Sequence, residues 1–208
     1  MDKKRRKFLI RQKKKRREKL RKSSGREGVS ALTGIEIAKR FKRAGKFVGC
    51  EDALEVYFVP ADGEMYRIVH DPLHKNDELV QNEQVFEDLT MMRRDLPMTV
   101  APDTPIEDQY IHIKEWSLSF YLDKEQLAKD YWKNHDSRKT LKAKERYELR
   151  MGTAMAKYIM TSDFGFMQRD PDANSHLVVA EYEGINLEDF RDKSFGLPPL
   201  TDFRDGKE

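Results

Sequence analysis

An α+β fold is what this sequence predicts, and three observations predict it. A turn pair, Asp62-Gly63, separates two β-rich runs. A stretch from Gln109 to Leu122 alternates apolar and polar residues. Amphipathic helical stripes lie around both, and helices and strands do not alternate regularly. The expected architecture is a compact domain with a β-hairpin, a long central strand and several amphipathic helices. A disordered basic N-terminal arm precedes it. The expected boundaries are 1–27 for the arm and its linker, 28–199 for an acidic globular domain, and 200–208 for a flexible tail.

Each element has a local reason. Residues 1–22 contain good helix formers, but like charges three and four apart repel, so the arm is expected to order only on a polyanion. Ser23 to Gly28 is a short linker. Thr33-Gly-Ile-Glu36 fits a capping box opening a helix to about Lys46. Ile35, Ile37, Ala38, Phe41 and Ala44 would share its apolar face, opposite Lys39, Arg40, Lys42 and Arg43. Leu54 to Val59 and Met65 to Val69 then read as the hairpin, pairing Val59 with Tyr66, Tyr57 with Ile68 and Glu55 with His70.

Asp77 to Asp95 carries a Val85, Leu89, Met92, Leu96 stripe stopped by Pro97, and predicts a helix. The central strand follows, with Trp116, Leu118, Phe120 and Leu122 on one face and Ser117 and Ser119 on the other. Asp123-Lys-Glu-Gln126 is a capping box with Asp123 as cap. A second helix is expected from Asp136-Ser137 to about Met160, with Lys142, Arg146 and Arg150 as a cationic ridge. Asp170 to Asn174 reads as a turn, His176 to Tyr182 as a strand, and the chain from Leu200 as a frayed polar end.

Charge says most about function. Residues 1–27 hold fifteen Lys and Arg against three Asp and Glu, a net +12 in a chain whose total is +3, so the other 181 residues carry −9. Extending the basic region to Lys46 raises it to +16 and leaves −13 on residues 47–208. A cationic arm on an acidic body is suited to a polyanion, because Lys and Arg neutralise phosphates and release counterions. The expected contact residues are Lys3, Lys4, Arg5, Arg6, Lys7, Arg11, Lys13, Lys14, Lys15, Arg16, Arg17, Lys19, Arg21 and Lys22, then Lys39, Arg40, Lys42 and Arg43. Their spacing has no period that would specify a groove, which favours holding backbone phosphate over reading bases. Arginine-rich segments that fold on RNA favour RNA over DNA. The expectation is therefore a non-enzymatic nucleic-acid-associated protein of the cell interior, cytoplasmic or nuclear. Its acidic body would dock on a protein partner in a ribonucleoprotein.

Other readings of the arm are a virion or phage component that neutralises packaged genome, a nuclear-import signal, an anionic-membrane contact, or an intramolecular regulator. No apolar run approaches the ~20 residues of a membrane span, and Phe8-Leu9-Ile10 is too short for a signal-peptide core. Cys50 is the single cysteine, so an internal disulfide and a Cys-rich zinc site are excluded.

Catalytic signals are weak. His70, Asp71 and His74 are the candidate ligands for a divalent metal in a nuclease or other phosphoryl-transfer enzyme, though their spacing fits no zinc pattern. Pro102-Asp103 with Ile111-His-Ile-Lys114 is close to a metal-nuclease pattern, but His112 stands where a second carboxylate belongs. Asp163-Phe-Gly165 matches the kinase tripeptide by letters alone. No catalytic residue and no cofactor is expected. Cys50, Trp116 and Trp132 sit in apolar patterns and read as packed side chains.

Overall fold

In the computed structural model the described residues are 40–73, 77, 100, 101 and 103–204. Among them an α+β domain forms around a six-stranded antiparallel sheet. The helices are α1 (Ala44–Phe47), α2 (Glu51–Tyr57), α3 (Ile106–Glu115), α4 (Lys124–Asp136) and α5 (Leu141–Met151). The strands are β1 (Phe58–Pro60), β2 (Gly63–Val69), β3 (Leu118–Tyr121), β4 (Ala154–Met160), β5 (Gly165–Gln168) and β6 (His176–Glu181). Two 3-10 turns, Leu187–Phe190 and Leu200–Phe203, follow.

The strand order is β1-β5-β6-β3-β2-β4. Strands β1 and β2 are first and fifth in that order, yet only Ala61 and Asp62 join them. In a flat sheet they would be about 19 Å apart, at ~4.8 Å per strand. Three Cα steps from Pro60 to Gly63 reach at most about 11 Å. The sheet must therefore curl back on itself. Strands β5 and β6 approach closely at Gly165, where a Cβ would run into the Ala180 carbonyl.

Alternation along β2 separates two cores. Met65 and Val69 are fully buried in the first, with Leu54, Phe58, Ile113, Phe120 and Phe164. Tyr66 and Ile68 face the second, where Leu127, Ala128 and Tyr131 of α4 and Tyr147 of α5 pack on Met155. Burial of a large apolar side chain contributes roughly 1.5–3 kcal/mol, so these two layers hold the fold. The β4 edge is covered by the returning chain: Tyr158 bridges Arg191, Ala154 bridges Pro199, and Met155 N–H donates to the Pro198 carbonyl at 3.0 Å.

Several expected elements form. Asp123 caps α4, its Oδ1 accepting from the Glu125 and Gln126 amides at 2.9 and 3.0 Å. The turn at Asp170 to Asn174 closes on Asp172, whose carboxylate accepts from the amides of Asn174 and His176. Strand β6 begins at His176 as the pattern predicts.

Others are corrected. The hairpin between Leu54–Val59 and Met65–Val69 does not form. Residues 51–57 are helical, with Glu51 and Asp52 in the first turn where the helix dipole favours acids. Strand β1 pairs with β5, and β2 pairs over seven residues with β4, from Gly63–Met160 to Val69–Ala154. The long strand is instead helix α3 and the four-residue β3. Ile106, Tyr110 and Ile113 recur at helical spacing and pack against the first core, and Gln109 ties α3 to α2 by accepting from the Ala53 amide at 3.2 Å.

The helix expected to reach Met160 stops at Met151. Gly152, at φ 86 and ψ 176, turns the chain into β4, and a Cβ there would strike the Val69 carbonyl. The chain end is not frayed at Leu200, which is 1% exposed and accepts from Trp132 Nε1 at 3.0 Å. The expected helix over Asp77 to Asp95 lies, apart from Asp77, outside the described residues, as do residues 33–39.

Candidate nucleic-acid interface

The arm cations, Lys3 to Lys22, and Lys39 lie outside the described residues. The described basic residues nearest to them are Arg40, Lys42 and Arg43, and these are not on a helix. Phe41 forms an antiparallel bridge with Tyr182, just beyond β6. The bridge is closed by Lys42 N–H donating to the Glu181 carbonyl at 3.0 Å and Glu183 N–H donating to the Arg40 carbonyl at 2.7 Å. Phe41 is 1% exposed and packs on Phe47, Phe166 and Tyr182. Among the described residues it fastens the end of the basic region to the sheet.

The bridge sends the three cations to different places. Arg40 is exposed beside the Tyr182 phenol. Lys42 is exposed, and its Nζ lies 3.3 Å from Glu181 Oε1. Arg43 points inward, 7% exposed along its side chain, with a terminal guanidinium nitrogen 2.5 Å from Glu181 Oε1. Arg43 therefore departs from the expected solvent-facing helical stripe. Its charge is committed to a carboxylate that ends β6 inside the protein, and a buried carboxylate without a cation would be costly.

Of the metal candidates, His70 is engaged by other groups. His70 Nδ1 lies 2.7 Å from Asp77 Oδ1, and His70 Nε2 lies 2.9 Å from the Leu149 carbonyl. Two acceptors call for two N–H donors, an imidazolium. Donating a hydrogen bond to Asp77 raises the His70 pKa above its ordinary value, against the opposing effect of burial. In that state neither ring nitrogen has a lone pair to offer a metal. Asp71 is exposed, and His74 lies outside the described residues. Among the described residues no group of three or more His, Cys, Asp or Glu is placed to hold a metal ion.

The remaining chemical motifs resolve into structure. His112 is buried and its Nε2 meets the Lys46 carbonyl at 2.7 Å, on a helix that carries Lys114. Asp163-Phe-Gly165 is the turn into β5, with Phe164 fully buried against Phe190. Burial pushes the Cys50 thiol up to about 12, far from a reactive thiolate. Trp116 is 8% exposed beneath the Lys46 ammonium, 4.0 Å from the ring, and Trp132 hydrogen-bonds the Leu200 carbonyl.

Two buried charged residues were passed over in the sequence. Arg67 is 9% exposed, donates to the Ser119 carbonyl at 3.0 Å and approaches the Phe120 ring; burial lowers its pKa. Glu181 is 2% exposed. The period-two spacing of Arg67 between Met65 and Val69 was the available signal, since a residue so placed must share their face.

Among the described residues no helix is long and apolar enough to cross a membrane. The chain matches no family model, no curated protein and no solved structure, so its own residues carry the functional reading.

Proposed function

We propose that the protein is a non-enzymatic nucleic-acid-associated protein whose basic arm holds the phosphate backbone with little sequence readout. One observation carries this reading: residues 1–27 bear +12 while the rest of the chain bears −9. A polyanion attracts the first part and repels the second, so the arm is the part that engages it. RNA is favoured over DNA, because arginine-rich segments order readily on RNA. The body, acidic overall, docks on a protein partner of the same particle. Such a protein works inside cells, in the cytoplasm or in a nucleus where there is one.

The fastening of Phe41 to Tyr182 supports the division of labour, since it ties the basic region to the sheet through backbone and aromatic contacts. The test uses the full chain and a variant with the fourteen Lys and Arg of residues 3–22 changed to Gln. Labelled oligouridine should bind the native chain and be lost by the variant. Equal binding by both would reject the reading.

A further inference from the structure

Among the described residues the acidic body carries a cationic face of its own. Residues 138–150 carry six Lys and Arg against two Glu. They form the α4–α5 turn and most of α5. Thr140 fixes the geometry by capping α5, its Oγ1 accepting from the Ala143 amide at 3.2 Å. The turn then lays the Arg138 guanidinium over the Tyr147 ring at 4.2 Å, and Arg150 approaches the same ring at 5.7 Å. Burial and the neighbouring Arg138 both lower the Arg150 pKa, so these two cations lie close enough to repel.

Two of the nearby acids are engaged by other cations, and the third, Glu145, is exposed and makes no ion pair among the described residues. Asp136 takes His135, Lys144 and Arg204, and Glu148 takes His135. Among the described residues Arg138, Lys139, Lys142 and Arg146 have no carboxylate within ion-pair distance. Lys139, Lys142 and Arg146 are exposed. Like charges four apart, as at Lys142 and Arg146, cost a helix about 0.2–0.5 kcal/mol, so the arrangement does not serve helix stability. From Lys142 to Arg150 the ridge covers about 12 Å. That is the axial length of three or four steps along one strand of a duplex, at about 3.4 Å each.

We infer that the α4–α5 face, through Arg138, Lys139, Lys142 and Arg146, is a second phosphate-backbone contact that lays a nucleic-acid strand against the body. The inference rests on the reading of the arm as a nucleic-acid binder and adds a site on the folded body to it. Charge complementarity selects the occupant: an otherwise acidic body leaves these four cations uncompensated.

The test compares full chains carrying Lys142→Gln/Arg146→Gln or, as a charge-matched control, Lys129→Gln/Lys193→Gln. The first pair sits on the exposed side of α5, so folding should be retained. Oligouridine affinity should fall several-fold in the first variant, and its salt slope should shrink by about 1.4, at ~0.7 per phosphate contact on a single strand. The control should change neither. No effect from the first variant, or equal effects from both, would overturn the inference. So would loss of binding to phosphatidylserine vesicles with oligouridine binding intact, which would assign the face to lipid. The variant without arm cations separates this site from the arm. If it alone loses binding, the arm reading stands and this inference falls. If it binds like the native chain while Lys142→Gln/Arg146→Gln does not, the inference stands and the arm reading falls.

Discussion

Glu181 decides what Arg43 does. A carboxylate that is 2% exposed must be matched by a cation, and among the described residues two cations flanking the Phe41 bridge pair with it. Removing Arg43 with Arg43→Gln leaves Glu181 buried with the more exposed Lys42 as its ion-pair partner among the described residues and Arg67 acting on it from farther off. Breaking such a pair costs roughly 3–5 kcal/mol, and the remaining lysine puts the loss near about 3 kcal/mol. Lys42→Gln should cost less than about 1 kcal/mol. Urea unfolding of the two variants checks the order, and a larger loss at Lys42 would contradict it. His70 makes a pH-dependent contribution. Its folded pKa is raised, so its stabilisation is fully present below the ordinary value of about 6.5 and is lost as pH rises through the folded value. The stability gap between native protein and His70→Gln should therefore be widest in acid and narrow with rising pH. Chemical denaturation across pH reads it, and a gap that widens toward alkaline pH would contradict the imidazolium.

At the scale of elements, local chemistry decides some boundaries and distant partners decide others. Asp123→Ala should cost about 1 kcal/mol, because the carboxylate satisfies two amides at the start of α4. Gly152→Ala should cost more. The backbone conformation alone is penalised by about 1–3 kcal/mol in a residue with a Cβ, and the clash with the Val69 carbonyl adds to it. Thermal unfolding of both variants checks the ranking. These two sites also show what can be read in the sequence. The Asp123 cap, the Asp172 turn and the start of β6 depend on residues within four positions, and they were legible. The fates of residues 54–57, 109–115 and 154–160 depend on packing and pairing across long stretches of chain. Gly152 was the one local sign that the second helix must stop. Within the candidate interface the arm's charge was legible by counting. The inward turn of Arg43 was not, because it follows from a partner 138 residues away on β6.

At the scale of the whole molecule, charge and topology act together. The curled sheet gives the body two cores and a covered edge, and the basic region is fastened where β6 ends. A strongly cationic arm on an acidic domain should bind through counterion release more than through shape. The most direct test is the affinity of the full chain for oligouridine as a function of salt. Fourteen arm cations, at ~0.7 per phosphate neutralised, allow a slope of log affinity against log salt as steep as about −10. The predicted result is a slope steeper than about −5 that collapses when those cations are replaced by Gln. A slope near zero, or one that survives their replacement unchanged, would contradict the assignment of the arm to phosphate.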